Sequence, residues 1–209
     1  MKKILAVLGI AVIFCQCAFA EEALITEENS MAQLKKVTLA GGCFWCMDPP
    51  FSKLKGVKEV IVGYIGGKTL DPTYEEVSSG NTGHFEAAEV VYDPSLVSYE
   101  KILDVFWRNI DPTDPDGQFV DSGPQYRSAI FYHDDEEKRL AEESKKALEA
   151  SKRFNKPIVT EIIPATIFYP AEQYHQGFCR INPTRYKSYS AGSGREQFLD
   201  RIWGKDRSK

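Results

Sequence analysis

The chain has 209 residues, of which 43% are hydrophobic, and a formal net charge of −4. That length supports one domain with its own core. The mild acidity argues against a nucleic-acid partner, which calls for a basic surface.

The first 20 residues stand apart. Lys2-Lys3 precede an apolar run, Ile4 to Cys15, and Ala18-Phe19-Ala20 forms a small-x-small cleavage site. Together these read as a secretory signal peptide. The run falls short of the roughly 20 residues a bilayer span needs, and no second run comes closer. A lipoprotein signal at Cys15 or Cys17 is the alternative, but Phe14 and Gln16 stand where a small residue belongs. Cleavage removes Lys2 and Lys3 and leaves 24 basic against 30 acidic side chains. It also leaves three cysteines, Cys43, Cys46 and Cys179. An odd count reads as reactive thiols rather than a disulfide scaffold. The expected product is an exported protein, periplasmic or secreted, with a flexible leader over 21–34 and one domain over 35–209.

Lys36 to Ala40 reads as a short strand, followed by the turn Gly41-Gly42-Cys43-Phe44-Trp45-Cys46. Glycines let backbone approach closely and turn sharply. A helix starting just after Cys43 would place its sulfur by unpaired N–H groups and favour the thiolate. Asp48-Pro49-Pro50 points the other way, as a cap and first turn that start the helix later. Val57 to Ile65 is β-branched and alternating, a strand. Tyr74 to Ser79 is a short helical piece, and Phe85 to Tyr92 is a strand. Ser98 caps a helix through Trp107 with Ile102, Leu103 and Phe106 on one face. Asn109 to Gln125 has no periodicity and reads as a functional loop. Arg127 to His133 is a strand, Asp135 to Ser151 an amphipathic helix, and Pro157 to Ile163 a strand. Pro170 to Phe178 reads as helical, and Ile181 to Lys209 as a tail with a last helix near Arg195 to Trp203. Interleaved strands and helices joined by long loops indicate one α+β domain.

Taken singly, the polar groups of these loops have ordinary readings. Glu86 alone would be a surface carboxylate, Tyr126 a core residue, His175 a structural hydrogen bonder. Cys43, Cys46, His175 and Cys179 make a Cys3His metal set on paper. Bulky Phe44-Trp45 in the knuckle and the distance in sequence speak against it, and no metal is expected.

Taken together, the stretches are specific. Gly42-Cys43-Phe44-Trp45, Gly63-Tyr64-Ile65-Gly66-Gly67, Thr82-Gly83-His84-Phe85-Glu86, Asp111-Pro112-Thr113, Gln125-Tyr126-Arg127-Ser128 and Ala171-Glu172-Gln173-Tyr174-His175-Gln176 occur in this order. The chain closely resembles the A-type peptide methionine sulfoxide reductases from about Val37 to Tyr189. The resemblance implies a two-layer α/β sandwich around a mixed, mainly antiparallel sheet, with an extended C-terminal tail. It implies reduction of the S epimer of methionine sulfoxide, free or in proteins. Cys43 matches the nucleophile, and Glu86 the acid that protonates the sulfoxide oxygen. Tyr74 and Tyr126 match phenols bonded to that oxygen, and Asp121 an acid at the pocket's edge. Phe44 and Trp45 match the methyl pocket, with His175 beside it. Cys43 then becomes a sulfenic acid, a second thiol closes a disulfide, and a thioredoxin-like protein, or DTT in vitro, reduces it. No bound cofactor and a monomer are expected.

Four departures mark this chain. Ile110 stands where His is frequent, and Gln118-Phe119-Val120 replaces a polar glycine-bearing stretch; both are expected at the pocket rim. Pro49 is a second proline where Ala is common. The tail lacks a glycine-rich cysteine, so resolution falls to Cys46 or, as the alternative, Cys179, whose neighbour Arg180 would favour its ionisation. The competing function is a general extracytoplasmic thiol–disulfide oxidoreductase using Cys43 and Cys46.

Overall fold

The computed structural model describes residues 34–207, so the expected signal peptide and nearly all of the leader lie outside the described residues. From Lys35 onward the described residues form one compact unit. Its sheet has six strands in the order β7-β6-β1-β3-β2-β8. The three central strands are β1 (Lys35–Gly41), β2 (Val57–Ile65) and β3 (Phe85–Tyr92). Both β1 and β2 pair antiparallel with β3. On the far side of β1 lies β6 (Ser128–Tyr132), antiparallel, and beyond it β7 (Glu161–Pro164), the one parallel neighbour. The two-residue β8 (Tyr169–Pro170) covers the β2 edge. The sheet is thus mixed and mainly antiparallel.

Strand alternation sorts the side chains onto two faces. Val37, Leu39, Val62, Ala88, Val90 and Ile130 share one face by register. Helices cover that face. In α1 (Phe44–Ser52), Met47 and Phe51 are fully buried against it. In α3 (Tyr99–Trp107), Ile102, Leu103 and Phe106 join the same cluster, as Ala141 and Leu148 do from α4 (Asp135–Ala150). The helices begin where the sequence caps them. Ser98 accepts the Lys101 N–H at 3.2 Å, and Asp134 accepts that of Glu137 at 2.8 Å. A reciprocal Thr73–Glu76 capping box starts α2 (Tyr74–Ser78). The opposite face is thinner, a cluster around Ala40, Ile65, Phe85, Ala87, Ala129 and Phe131.

Four local readings are decided or corrected. First, of the two starts the sequence leaves open, α1 takes the earlier, at Phe44, and carries Pro49 and Pro50 inside it, because the apolar contacts of Phe44, Met47 and Phe51 hold the helix through the prolines. Second, the strand read from Pro157 pairs only from Glu161 onward. Third, Pro170 to Phe178 is not one helix. Pro170 pairs with Gly63, a single 3-10 turn spans Gln173–His175, and α5 (Phe178–Ile181) begins after Gly177 in the left-handed region. Fourth, the tail is not extended. It folds as α6 (Pro183–Gly192) ahead of the last helix, α7 (Arg195–Trp203), which stands where the sequence puts it and buries Leu199 and Trp203 in the main cluster. Within the long loop, β4 (Gly117–Gln118) and β5 (Asp121–Ser122) pair as a small ribbon.

Candidate active site

Both glycines before Cys43 are demanded by packing. A Cβ on Gly41 would lie 2.6 Å from the Ile110 side chain and 2.8 Å from the Met47 sulfur. Gly42 has φ +85°, and a Cβ there would lie 2.6 Å from that of Gln118. Ile110 is therefore fully buried under the turn, not at a pocket rim. Gln118 is fully buried too, its amide bracketing Asp111 by accepting from N–H at 2.8 Å and donating to C=O at 2.7 Å. Of the departing stretch, Val120 alone is well exposed.

Cys43 is the N-cap residue of α1, as one reading of the sequence had it. The thiolate does not follow from that. Burial pushes the Cys43 thiol well above its ordinary pKa, and the Glu86 and Cys46 charges push the same way. A hydrogen bond from Tyr189 and the Trp45 N–H oppose them without prevailing. The helix terminus is outweighed because the sulfur is sealed among Phe44, Val62, Tyr64, Val77 and Ala171. The resting group is a thiol.

Glu86 is equally sealed, 1% exposed. Its Oε2 accepts the Phe44 N–H at 3.0 Å. Burial dominates and raises its pKa to about 8, against the lowering effect of that hydrogen bond. At neutral pH this side chain is mostly a carboxylic acid, able to donate. The Tyr74 and Tyr126 phenols both feel the Glu86 and Cys43 charges, and burial raises each, Tyr74 to about 12. Asp121, on β5, is raised by burial and held back by Tyr189 and Arg195. The five candidate catalytic residues of the sequence thus form one electrostatic cluster.

The walls are aromatic. Trp45 is half-buried, stacked on Phe178 at 3.8 Å between centroids, with Tyr189 edge-on at 5.9 Å. Its indole N–H donates to His175 Nδ1 at 3.0 Å, which fixes the proton of the neutral ring on Nε2. Burial lowers the His175 pKa, consistent with that neutral state. His175 is itself ringed by Phe44, Tyr74 and Tyr174 at 4.9, 4.5 and 4.2 Å. Its Nε2 lies 3.9 Å from Glu172 Oε2. Among the described residues no group of three His, Cys, Asp or Glu is placed to hold a metal ion.

Several contributors were not singled out from the sequence. Tyr189 donates its hydroxyl proton to Asp121 Oδ2, and the same hydroxyl also interacts with the Cys43 sulfur. It lies in the stretch read as a tail, where no pattern marks it. Glu172 is the counterpart of Glu86. It accepts from the Tyr74 N–H and the Tyr64 hydroxyl, each at 2.8 Å. Burial raises its pKa, but those bonds and its own backbone N–H outweigh burial and hold it below the usual range. Gln176 acts as a substitute strand residue: it accepts the Val62 N–H at 3.0 Å and donates to Val62 C=O at 2.8 Å and Ala171 C=O at 2.9 Å. This pins the His175 loop to β2. Glu172 and Gln176 belong to the Ala171–Gln176 motif, so they were visible as part of it.

The two candidate resolving thiols differ. Cys46 is buried on α1, one turn past Cys43. Cys179, on α5, is half-buried with its sulfur 3.9 Å from Asp48 Oδ2. Burial and Asp48 raise the Cys179 pKa despite Arg180, which spends its charge on Asp48 at 3.6 Å. Arg180 does favour the Cys179 thiolate, as expected, but burial and Asp48 outweigh it. All three thiols are free.

Comparison with known proteins agrees with this geometry. The model of the family described as peptide methionine sulfoxide reductase matches residues 35–207. The peptide methionine sulfoxide reductase MsrA of Listeria monocytogenes serotype 4b is 55% identical over 170 residues, covering 81% of this chain and 96% of that protein. The crystal structure of reduced Mxr1 from Saccharomyces cerevisiae aligns with a TM-score of 0.69 at 32% identity, over 73% of this chain and 88% of that one. Mxr1 solved in complex with Trx2 aligns at 0.51 and 25% identity, over 69% of this chain and 85% of that one.

Proposed function

The chain belongs to the peptide methionine sulfoxide reductase family, and from that premise we propose that Cys43 is its nucleophile and Glu86 its acid catalyst. The observation that carries the reading is a buried carboxylic acid, its pKa raised to about 8, bonded to the residue that follows a buried thiol. Sulfoxide reduction needs that combination. The Cys43 sulfur attacks the electron-poor sulfoxide sulfur, and Glu86 delivers a proton to the oxygen. The proton of the resting thiol replaces the one Glu86 gives up. Methionine leaves, and Cys43 carries the oxygen as a sulfenic acid. A thiol beside a general oxidoreductase disulfide would have no use for the neutral Glu86 or the phenols around it.

The remaining roles are those the family resemblance implies, and the positions of the residues support them. Tyr74 and Tyr126 donate to the sulfoxide oxygen, and Asp121 holds Tyr189 towards Cys43. Trp45 and Phe44 receive the methyl group, and His175 acts through Trp45 by fixing its indole. Preference for the S epimer, free or in proteins, is what the family resemblance implies. Cys46 resolves the sulfenic acid. Pro49 and Pro50 lack N–H groups, so they make no helical bond to the carbonyls of Trp45 and Cys46. That eases the closure from about 5–6 Å between Cβ atoms on a helix to about 3.5–4.5 Å in a disulfide. A thioredoxin-class dithiol then reduces the bridge, as the Mxr1–Trx2 complex suggests by analogy. Export rests on Lys2-Lys3, the apolar run and Ala18-Phe19-Ala20; intact-mass analysis of protein recovered from the expressing cell's exterior compartment, expected to begin at Glu21, tests it.

The test of the activity is one turnover without reductant. Reduced enzyme mixed with substoichiometric racemic methionine sulfoxide should consume the S epimer, release methionine and lose two hydrogens per methionine formed. Unchanged enzyme mass with no methionine would sink the reading.

A further inference from the structure

At the N-terminus of α7, Arg195 is 4% exposed, an uncommon place for a guanidinium. Gly194, in the left-handed region with φ +79°, turns the chain into the helix, and Ser193 Oγ accepts the Arg195 N–H at 3.3 Å. The side chain runs behind the nucleophile turn. Its Nη2 donates to the Gly41 carbonyl at 3.0 Å and its Nη1 to the Asn109 carbonyl. The guanidinium carbon lies 4.6 Å from the centre of the Phe119 ring. A Cβ on Gly42 would come within 3.1 Å of Nη2. Its Nε is buried and donates to nothing among the described residues. A fixed cation with a donor left over thus sits against the Gly41-Gly42 turn. Burial raises the pKa of the Cys46 thiol on α1, and the Arg195 charge is the largest influence opposing it.

We propose that Arg195 is the positioning residue of the resolving step, holding and charging Cys46 for attack on the Cys43 sulfenic acid. The proposal rests on Cys43 and Cys46 being the nucleophile and resolving thiol. In the step itself the Cys46 sulfur attacks the Cys43 sulfur. The S–S bond forms and the S–O bond breaks. The departing hydroxide takes the Cys46 proton and leaves as water, with Cys46 oxidised and Cys43 reduced. The attacking group must be a thiolate, and burial raises the Cys46 pKa. The groups facing it are Arg195 and Glu196 of α7, Asp121 of β5, Tyr186 of α6 and Cys43 beside it. Of these only Arg195 is a cation. Cys179 has the reverse arrangement, with a carboxylate nearest. The arginine also ties the stretch read as a tail to the site, which its buried guanidinium backs from behind.

The experiment separates two steps in one mixing. Reduced full-length wild type, Arg195→Gln and Arg195→Lys are each mixed with methionine sulfoxide without reductant. Methionine release reports the first step. Dimedone-trappable sulfenic acid and thiol counts report closure. Arg195→Gln should release methionine within about threefold of the wild-type rate, close the disulfide at least about tenfold slower, and shift the pH profile of closure upward. Arg195→Lys keeps the charge without the fork and should slow closure less; it decides the matter alone if the glutamine variant does not fold. Closure at the wild-type rate in the folded variants overturns the proposal. So does equal slowing of both steps, which would make Arg195 a brace for the turn. Two other results fail the underlying assignment instead: wild type releasing no methionine, or Cys46→Ser closing a Cys43–Cys179 bridge at full rate.

Discussion

Along one face of β3 stand Glu86, Ala88, Val90 and Tyr92, and the two ends of that row do different work. At the Tyr92 end the neighbours are Val37, Leu39, Ile102 and Phe106, whose side chains carry no polar atoms. At the Glu86 end the cross-strand partner is Tyr64, just as deeply buried, but its hydroxyl is committed to Glu172. Around it the Phe44 N–H goes to Glu86, the Trp45 indole to His175 and the Tyr189 phenol to Asp121. Burial at the first end contributes stability in proportion to apolar area. Burial at the second shifts acid strengths, keeping Glu86 protonated and Cys43 a thiol. The same physical act, removal from water, thus yields stability at one end and chemistry at the other.

The largest expected effect breaks the comparison in two. Cys43→Ser should abolish methionine formation while Tm stays within a few degrees of wild type. Leu39→Ala, on the same face, should cost about 2–5 kcal/mol of stability. Its kcat per folded molecule should hold. Denaturant melts alongside turnover assays check both. Loss of fold in Cys43→Ser, or loss of kcat in folded Leu39→Ala, would show that the two ends are not separable.

Next comes Glu86→Gln, expected to slow methionine release by about 10²–10⁴-fold. With a pKa of about 8, wild-type release should fall as pH rises through that value, since the proton Glu86 donates is lost there. Stability has the same sign. The folded pKa lies above the ordinary carboxyl value of 4.5, so the folded state holds the proton more tightly. Wild type should therefore lose stability as pH rises from 4.5 through 8. Glu86→Gln, which has no charge to bury, should lose less, and its Tm advantage over wild type should widen from pH 5 to pH 9. A Tm difference that is flat with pH would mean that burial does not control this carboxyl.

The core end was legible from the sequence because alternation and helical spacing are physical signals. Phe85 to Tyr92 and the Ile102, Leu103 and Phe106 face were read as they fold. The site end was legible only through motifs, since Glu86 breaks the apolar row and Cys43 follows two glycines. What escaped was long-range. Tyr189 and Arg195 reach the site from α6 and α7, and no local pattern tells where a late helix docks. Pro49 and Pro50 leave the start of α1 open in the sequence, and tertiary contacts decide it against local propensity. Ile110 is expected at the rim, but it is fully buried against the Gly41 turn.

A smaller effect joins the two ends at the turn. Gly42→Ala places a Cβ against Gln118 and Arg195 at φ +85°. It should cost more than about 1 kcal/mol, as expected where a glycine occupies a conformation other residues avoid. Because the strain falls between β1 and Cys43, kcat/KM should drop as well, which equilibrium melts and steady-state kinetics would show together. A variant with wild-type stability would mean that the turn relaxes freely and that the glycine is not required.

The smallest expected effect is Cys179→Ser. Its sulfur is half-buried beside Asp48, and Arg180 is already paired with that carboxylate. Serine keeps the size and can still donate to Asp48, so folding should be nearly unchanged, within about 0.5 kcal/mol. Recycling by a thioredoxin-class dithiol should be unchanged too, because burial and the Asp48 charge raise the Cys179 pKa against Arg180 and Lys53. The informative measurement is thiol counting after one turnover: the variant should lose two thiols, Cys43 and Cys46, and the wild type the same two. Retention of a sulfenic acid in Cys179→Ser would move the resolving role to α5. It would also mean that a carboxylate-flanked, half-exposed thiol outcompetes one held by a guanidinium a single turn from the nucleophile.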